Sequence, residues 1–223
     1  MAYKGQIISN PRTGEYIEFM ETAAETGGAY TRIKIKVVAN GFKPVPHMHT
    51  TTDESFEVIS GKLTCIEDGV KTETGPGSKI TLRKGRTHTH YNDRSESLLM
   101  YQSFAPSLDI DLFLENMFGL DAEGKVPNGR PDFLQLMVWS KSYQCKAYID
   151  SVPVGVQKAM GFLLAPVGRA LGYKAAYKRF SGFDAGMTFA WPPIHAADCK
   201  NCNSLFTFKQ ILYEQDCCLI RVG

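Results

Sequence analysis

No run of eighteen apolar residues occurs in the 223-residue chain, which excludes a conventional membrane span. The first twenty residues, MAYKGQIISNPRTGEYIEFM, lack an apolar h-region, so a secretory leader is not expected. An excess of charge of one sign is missing as well. A net charge of +2 gives no global attraction to nucleic acid or to an anionic membrane, and any basic patch must be local. Neither a P-loop nor a Gly-rich dinucleotide fingerprint appears, which argues against nucleotide binding. No recognition-helix motif is present, so no nucleic-acid partner is expected. Six cysteines do not make a disulfide framework in a chain of this size. Together with the missing export signal, they predict reduced thiols and a cytoplasmic location. What is present is ordinary globular composition: 43% hydrophobic and 22% charged residues rule out wholesale disorder. At about 100–200 residues per domain, the length allows one sizeable core plus an appendage.

Residues 1 to about 104 read as strands. Arg32-Ile33-Lys34-Ile35-Lys36-Val37 alternates charged and aliphatic side chains, the pattern of a strand with one buried face. Two further runs, 61–67 and 70–74, flank Asp68-Gly69, a strong hairpin signal. Lys79–Leu82, Thr87–Asn92 and Ser97–Phe104 complete the series. Many short strands without intervening helices predict a β-sandwich or barrel. After Pro106 the pattern changes. Asp109–Leu120 reads as a short helix ended by Gly119 or near Gly124, and a polar connector follows over Glu123–Pro131. Val156, Met160, Leu163, Leu164, Val167 and Leu171 then recur at helical spacing, with Pro166 expected to kink or split the helix.

One segment carries metal chemistry. His47 and His49 are two residues apart, so on a strand both imidazoles project to one face. Glu54 lies beyond a short polar turn, from which the next strand can return its carboxylate toward them. Two imidazoles and a carboxylate suit first-row divalent metals. A second segment, Gly77 to Asn92, adds His88 and His90.

The spacing in the first segment is glycine (Gly41), five residues, His-x-His, four residues, glutamate, six residues, glycine (Gly61). It resembles the first motif of the cupin superfamily. The second segment is similar to the partner motif, with Gly77, Gly85, His88 and Asn92 in register and Arg83 at the position of the proline. The resemblance implies a mainly β, jelly-roll sandwich or barrel with a C-terminal helical appendage. It also implies four metal ligands: His47, His49, Glu54 and His88. Three histidines and one glutamate leave one or two positions of an octahedral ion open. The expected cofactor is one divalent transition metal ion, from among Fe, Mn, Ni, Co, Cu and Zn, because ligand identity does not choose between them.

His90 follows His88 by two residues and faces the same interior on a regular strand. It is the candidate catalytic acid/base or substrate contact, or else a residue that orients a ligand. Tyr91 and Tyr101 read as pocket-lining or core residues, core being preferred, and Arg83, Lys84 and Arg86 as a solvated basic turn or, at the barrel mouth, a recruiter of anionic substrate. Residues 141–180 carry seven Lys or Arg against one acid, Asp150, alongside the helical apolar stripe. Packing on the β-domain or on a partner is preferred over peripheral membrane contact. The expected organisation is a β-domain over 1–105, a helical extension over 106–180, and a tail of unknown role over 181–223. The Cys199-x-x-Cys202 and Cys217-Cys218 pairs in that tail are a poor zinc site. The leading functional reading is a mononuclear-metal dioxygenase acting on a small organic molecule. Metal-dependent isomerase or decarboxylase chemistry, a non-catalytic ligand-binding module and a storage protein are the alternatives. A homodimer is expected, because pairing hides sheet edges.

Overall fold

The structure is a computed structural model that describes residues 2–183 except Arg12, Phe42 and 127–129. The tail cysteines therefore lie outside the described residues. In chain order the strands are β1 (Ile7–Asn10), β2 (Glu15–Glu21), β3 (Thr31–Val37), β4 (His47–His49), β5 (Asp53–Ser60) and β6 (Leu63–Glu67). They continue as β7 (Val70–Thr74), β8 (Lys79–Leu82), β9 (His88–Tyr91) and β10 (Leu98–Ala105). Helices α1 (Ile110–Ala122) and α2 (Phe133–Ser142) follow, then β11 (Ala147–Ile149), α3 (Val154–Ala170) and the one-turn α4 (Lys178–Ser181).

Two antiparallel sheets form a jelly-roll sandwich. One has the order β1-β2-β3-β10-β5-β8, the other β11-β4-β9-β6-β7. Alternation drives the assembly: on β10, Leu98, Met100, Gln102 and Phe104 are buried while the residues between them are partly exposed. The hairpin predicted at Asp68-Gly69 forms as read, with both residues at positive φ (47° and 82°), as a two-residue primed turn requires. Gly61 closes β5 at φ +83°. A Cβ there would lie 2.6 Å from the Ser97 carbonyl oxygen, so both conformation and space demand glycine.

The inner face of the first sheet is covered in two parts. Val37, Phe56, Val58, Leu98 and Met100 pack with Leu63 and Cys65 of the second sheet. Ile17, Phe19, Ile33 and Phe104 pack instead with Ile110, Leu114 and Leu120 of α1 and Trp139 of α2. The buried Asp109 carboxylate fixes the chain beyond α2 by accepting from the N–H groups of Gln144 (2.7 Å) and Cys145 (2.8 Å).

The C-terminal part differs from expectation in two respects, an added strand and the facing of the α3 stripe. The region is not purely helical, because β11 adds to the second sheet by pairing with β4. Helix α1 ends at Ala122, beside Gly124 as one of its two expected stops, and α3 runs through the exposed Pro166 without splitting. The apolar stripe of α3 does not dock on the β-domain. Its buried line is Gln157, Gly161, Ala165 and Gly168, which packs against α2. A Cβ on Gly168 would lie 2.8 Å from a Val138 methyl, so small residues set the close approach of these helices. Val156, Leu163, Val167 and Leu171 point outward.

Candidate metal centre

Strand β4 presents His47 and His49 from one face, and its cross-strand pair sets His47 directly opposite His88 of β9. The three rings gather closely, with centroids 4.7 Å apart for His47–His88, 5.0 Å for His47–His49 and 5.6 Å for His49–His88. Glu54 comes from the opposing sheet, on the inward-facing register of β5 beside Phe56. One ligand atom from each of His47, His49, Glu54 and His88 lies within 4.8 Å of all the others. Two sheets thus contribute to one cluster, three imidazoles from one and a carboxylate from the other.

The hydrogen bonds around the cluster leave its lone pairs pointing inward. The Nδ1 of His47 lies 2.8 Å from the Val45 carbonyl and the Nδ1 of His88 lies 3.1 Å from that of Arg86. As donors to these carbonyls, both rings keep Nε2 as a bare acceptor. The Glu54 carboxylate is held by Gln102, whose amide donates to Oε1 at 2.5 Å. Its other oxygen, Oε2, sits 3.1 Å from Nε2 of His88, and while that nitrogen carries no proton both atoms are acceptors with nothing between them to share. His49 Nδ1 is also buried without a partner. Buried polar atoms of this kind are costly unless something satisfies them. A cation among them would do so, and the cluster is compatible with a metal ion.

Electrostatics agree with that reading. Burial pushes the His49 imidazolium down to about 4 and lowers that of His47, so both rings are neutral near pH 7, as metal ligation requires. Burial alone would raise the Glu54 carboxyl. The imidazoles of His90, His88, His49 and His47 outweigh it and hold the group well below the usual carboxylate range. For His88, burial lowers the ring's pKa, but the adjacent Glu54 carboxylate outweighs it and the net shift is upward.

His90 lies on the same face of β9, outside the converging four. Its ring stacks at a tilt on Phe56 with centroids 4.6 Å apart, and its Nδ1 is buried without a partner. Burial lowers its pKa to about 4, so it is a neutral base near the cluster rather than a reservoir of acid. The core reading of two tyrosines does not hold: Tyr91 lies under the Lys43 ammonium and Tyr101 under the Arg32 guanidinium, both half-exposed and outside the core. The turn carrying Arg83, Lys84 and Arg86 is charge-compensated. Arg83 pairs with Asp53 at 2.9 Å and Arg86 with Asp68 at 2.7 Å. The backbone N–H of Arg83 donates to Glu67 (3.1 Å), a bond that a proline at this position lacks.

Sequence reasoning missed Gln102 and β11. Gln102 leaves a signal, a lone amide between Met100 and Phe104 on an inward-facing register. Strand β11 pairs Ile149 with His47 and Ala147 with His49, so the C-terminal part buttresses the strand that carries two of the clustered histidines.

The fold is a jelly-roll sandwich whose interior gathers three histidines and one glutamate in a cluster compatible with a metal ion. Residues 34–104 match the family model described as Cupin domain, a span that holds all four clustered residues. This part of the chain is a cupin domain. A search of curated proteins finds no match. Among solved structures, the chain is similar to a sugar phosphate isomerase from Silicibacter pomeroyi, with 17% identity and a TM-score of 0.36 over 41% of this chain. The match spans 59% of that protein, less than two thirds of it. It is also similar to a protein described as a predicted oxalate decarboxylase from Thermotoga maritima (14% identity, TM-score 0.40, 46% of this chain and 92% of that one). A third is the cupin domain of an XRE family transcriptional regulator from Enterobacter cloacae (18% identity, TM-score 0.35, 41% and 95%). Among the described residues, no helix is long and apolar enough to cross a membrane.

Proposed function

We propose that this protein is a mononuclear-metal enzyme that acts on a small organic molecule, and that its reaction is dioxygenation. The observation that supports the reading is the convergence of four donor atoms within 4.8 Å, with buried lone pairs that no hydrogen bond satisfies. His47, His49, Glu54 and His88 would hold one divalent transition metal ion. Four protein ligands leave room for substrate or dioxygen on an octahedral ion, which when bound supplies Lewis-acid and redox chemistry.

The chain's own groups do the rest. The Val45 and Arg86 carbonyls fix the ring orientations of His47 and His88, and Gln102 fixes the carboxylate of Glu54. Phe56 walls the interior on the side of His90. His90, kept neutral by burial, can accept a proton at Nδ1 from a bound substrate.

The test is oxygen uptake by the full chain reconstituted in turn with Fe(II), Mn(II), Ni(II), Co(II), Cu(II) and Zn(II), against a panel of small organic substrates. Metal-dependent uptake that tracks product supports the reading. Turnover without oxygen uptake would overturn dioxygenation and assign isomerase or decarboxylase chemistry to the same site.

A further inference from the structure

Helix α3 turns the usual pattern of a surface helix inside out. Its buried line consists of one amide and three small residues, Gln157, Gly161, Ala165 and Gly168. Val156, Phe162, Leu163 and Val167 are exposed, as is Leu171 just past the helix end, with Phe162 at 64% and Leu171 at 67%. Around the helix, the outward half carries only Gly, Ala, Pro, Met and these larger apolar residues. Lys158 and Arg169 lie together along one flank, next to the buried line. A continuous apolar face of this kind marks an interaction site.

The charges around the face identify what it meets. From residue 151 to residue 183 the chain holds Lys158, Arg169, Lys174, Lys178 and Arg179 and no Asp or Glu. Arg179 is neutralised by Glu123. Lys141, on α2, instead lies over the Phe162 ring at 5.2 Å, and Lys158 lies over Tyr148 at 5.9 Å. Both ammonium groups are exposed and stand beside apolar surface, as snorkelling lysines do at an interface between hydrocarbon and water. A second copy of the same face would bring only more cations and no acid to pair with them. An anionic lipid surface complements both features, because acyl chains take the apolar side chains and headgroups take the flanking cations.

We infer that α3, with Lys141 of α2, is a peripheral docking surface for anionic phospholipid bilayers. The helix lies in the plane of the interface. At 17 residues, with cations on one flank, it rests on the membrane without crossing it.

The test is co-sedimentation of the full chain with vesicles of equal parts phosphatidylserine and phosphatidylcholine, compared with phosphatidylcholine alone. The expected result is binding to the anionic vesicles, weakened by salt and weak or absent on the neutral ones. Phe162→Ser/Leu163→Ser and Lys141→Glu/Lys158→Glu should each reduce binding by at least about tenfold. Both pairs are exposed, and unchanged circular dichroism would confirm that the variants fold. No binding to anionic vesicles, or binding that neither double variant alters, would overturn the proposal. So would equal binding to both vesicle types. A dimer in sedimentation analysis that Phe162→Ser/Leu163→Ser dissociates, without vesicle binding, would assign the face to a second copy instead.

Discussion

The sandwich interior and the outer face of α3 depart from ordinary burial in opposite directions. In the interior, His49, Glu54 and His88 are buried together with lone pairs that no hydrogen bond satisfies. On α3, large apolar side chains stand in solvent while glycine and alanine are buried. Each arrangement costs stability that a simpler choice of residues would keep. The two differ in what would relieve the cost: a cation in one case, an apolar and anionic surface in the other. Departures from local rules of this kind mark functional sites.

The largest expected effect is on the interior. Glu54→Gln removes the only carboxylate of the cluster while keeping an amide in its place. Metal affinity should fall by more than the roughly 10–100-fold typical of changing a residue that only orients a ligand. Titration with a competing chelator measures this. Affinity within about tenfold of wild type would remove Glu54 from the site.

A pair of leucines sharpens the contrast in packing. Leu63 is fully buried in the sandwich, whereas Leu163 is 65% exposed on α3. Leu63→Ala should cost about 2–5 kcal/mol in denaturant unfolding. Leu163→Ser should stay within about 0.5 kcal/mol, because it opens no cavity. Similar costs for the two would mean that α3 does not present its apolar face outward.

Acid should act on the interior and spare α3. Burial depresses the imidazolium pKa of His49 and His90 to about 4 in the folded state, against an ordinary value of 6.5. Between those values the unfolded chain binds more protons at these sites, so stability falls as pH falls. Chelator-treated protein should therefore lose on the order of 1–3 kcal/mol between about pH 6.5 and pH 4, with His88, whose pKa is raised in the folded state, offsetting part of the loss. Thermal unfolding across that range is the measurement. A melting temperature that rises on acidification would contradict the burial of these rings.

A smaller effect links the two regions. Gln157, on the buried line of α3, donates to the carbonyls of Ile149 (2.8 Å) and Val152 (2.6 Å) and accepts from the N–H of Ile149 (3.1 Å). Ile149 is the cross-strand partner of His47. Gln157→Ala should cost about 1–2 kcal/mol and raise amide exchange in β11 and β4. Unchanged exchange in β4 would show that β11 does not support the ligand strand.

Much of the sandwich and of the cluster was legible because alternation and turn chemistry are local. Arg32–Val37, the Asp68-Gly69 hairpin and the spacing from Gly41 to Gly61 each contain their own signal. Strand β11 does not. Three residues make no periodic pattern, and Ala147–Ile149 is extended because β4, far earlier in the chain, offers it a partner. The orientation of α3 was ambiguous for a different reason. Two stripes share its period, one of large apolar residues and one of small residues, Gly161, Ala165 and Gly168. Periodicity reveals both without saying which faces inward. Only the close approach of α2, which admits no Cβ at Gly168, decides it.

The central claim is that His47, His49, Glu54 and His88 bind one metal ion while His90 stands beside it. Metal content after gel filtration of the wild type, His88→Ala and His90→Ala tests it most directly, with circular dichroism confirming that each chain is folded. The account predicts about one transition-metal ion per wild-type chain, a sharp loss in His88→Ala and near-wild-type content in His90→Ala. Full retention of metal by His88→Ala, or equal loss in both variants, would contradict it.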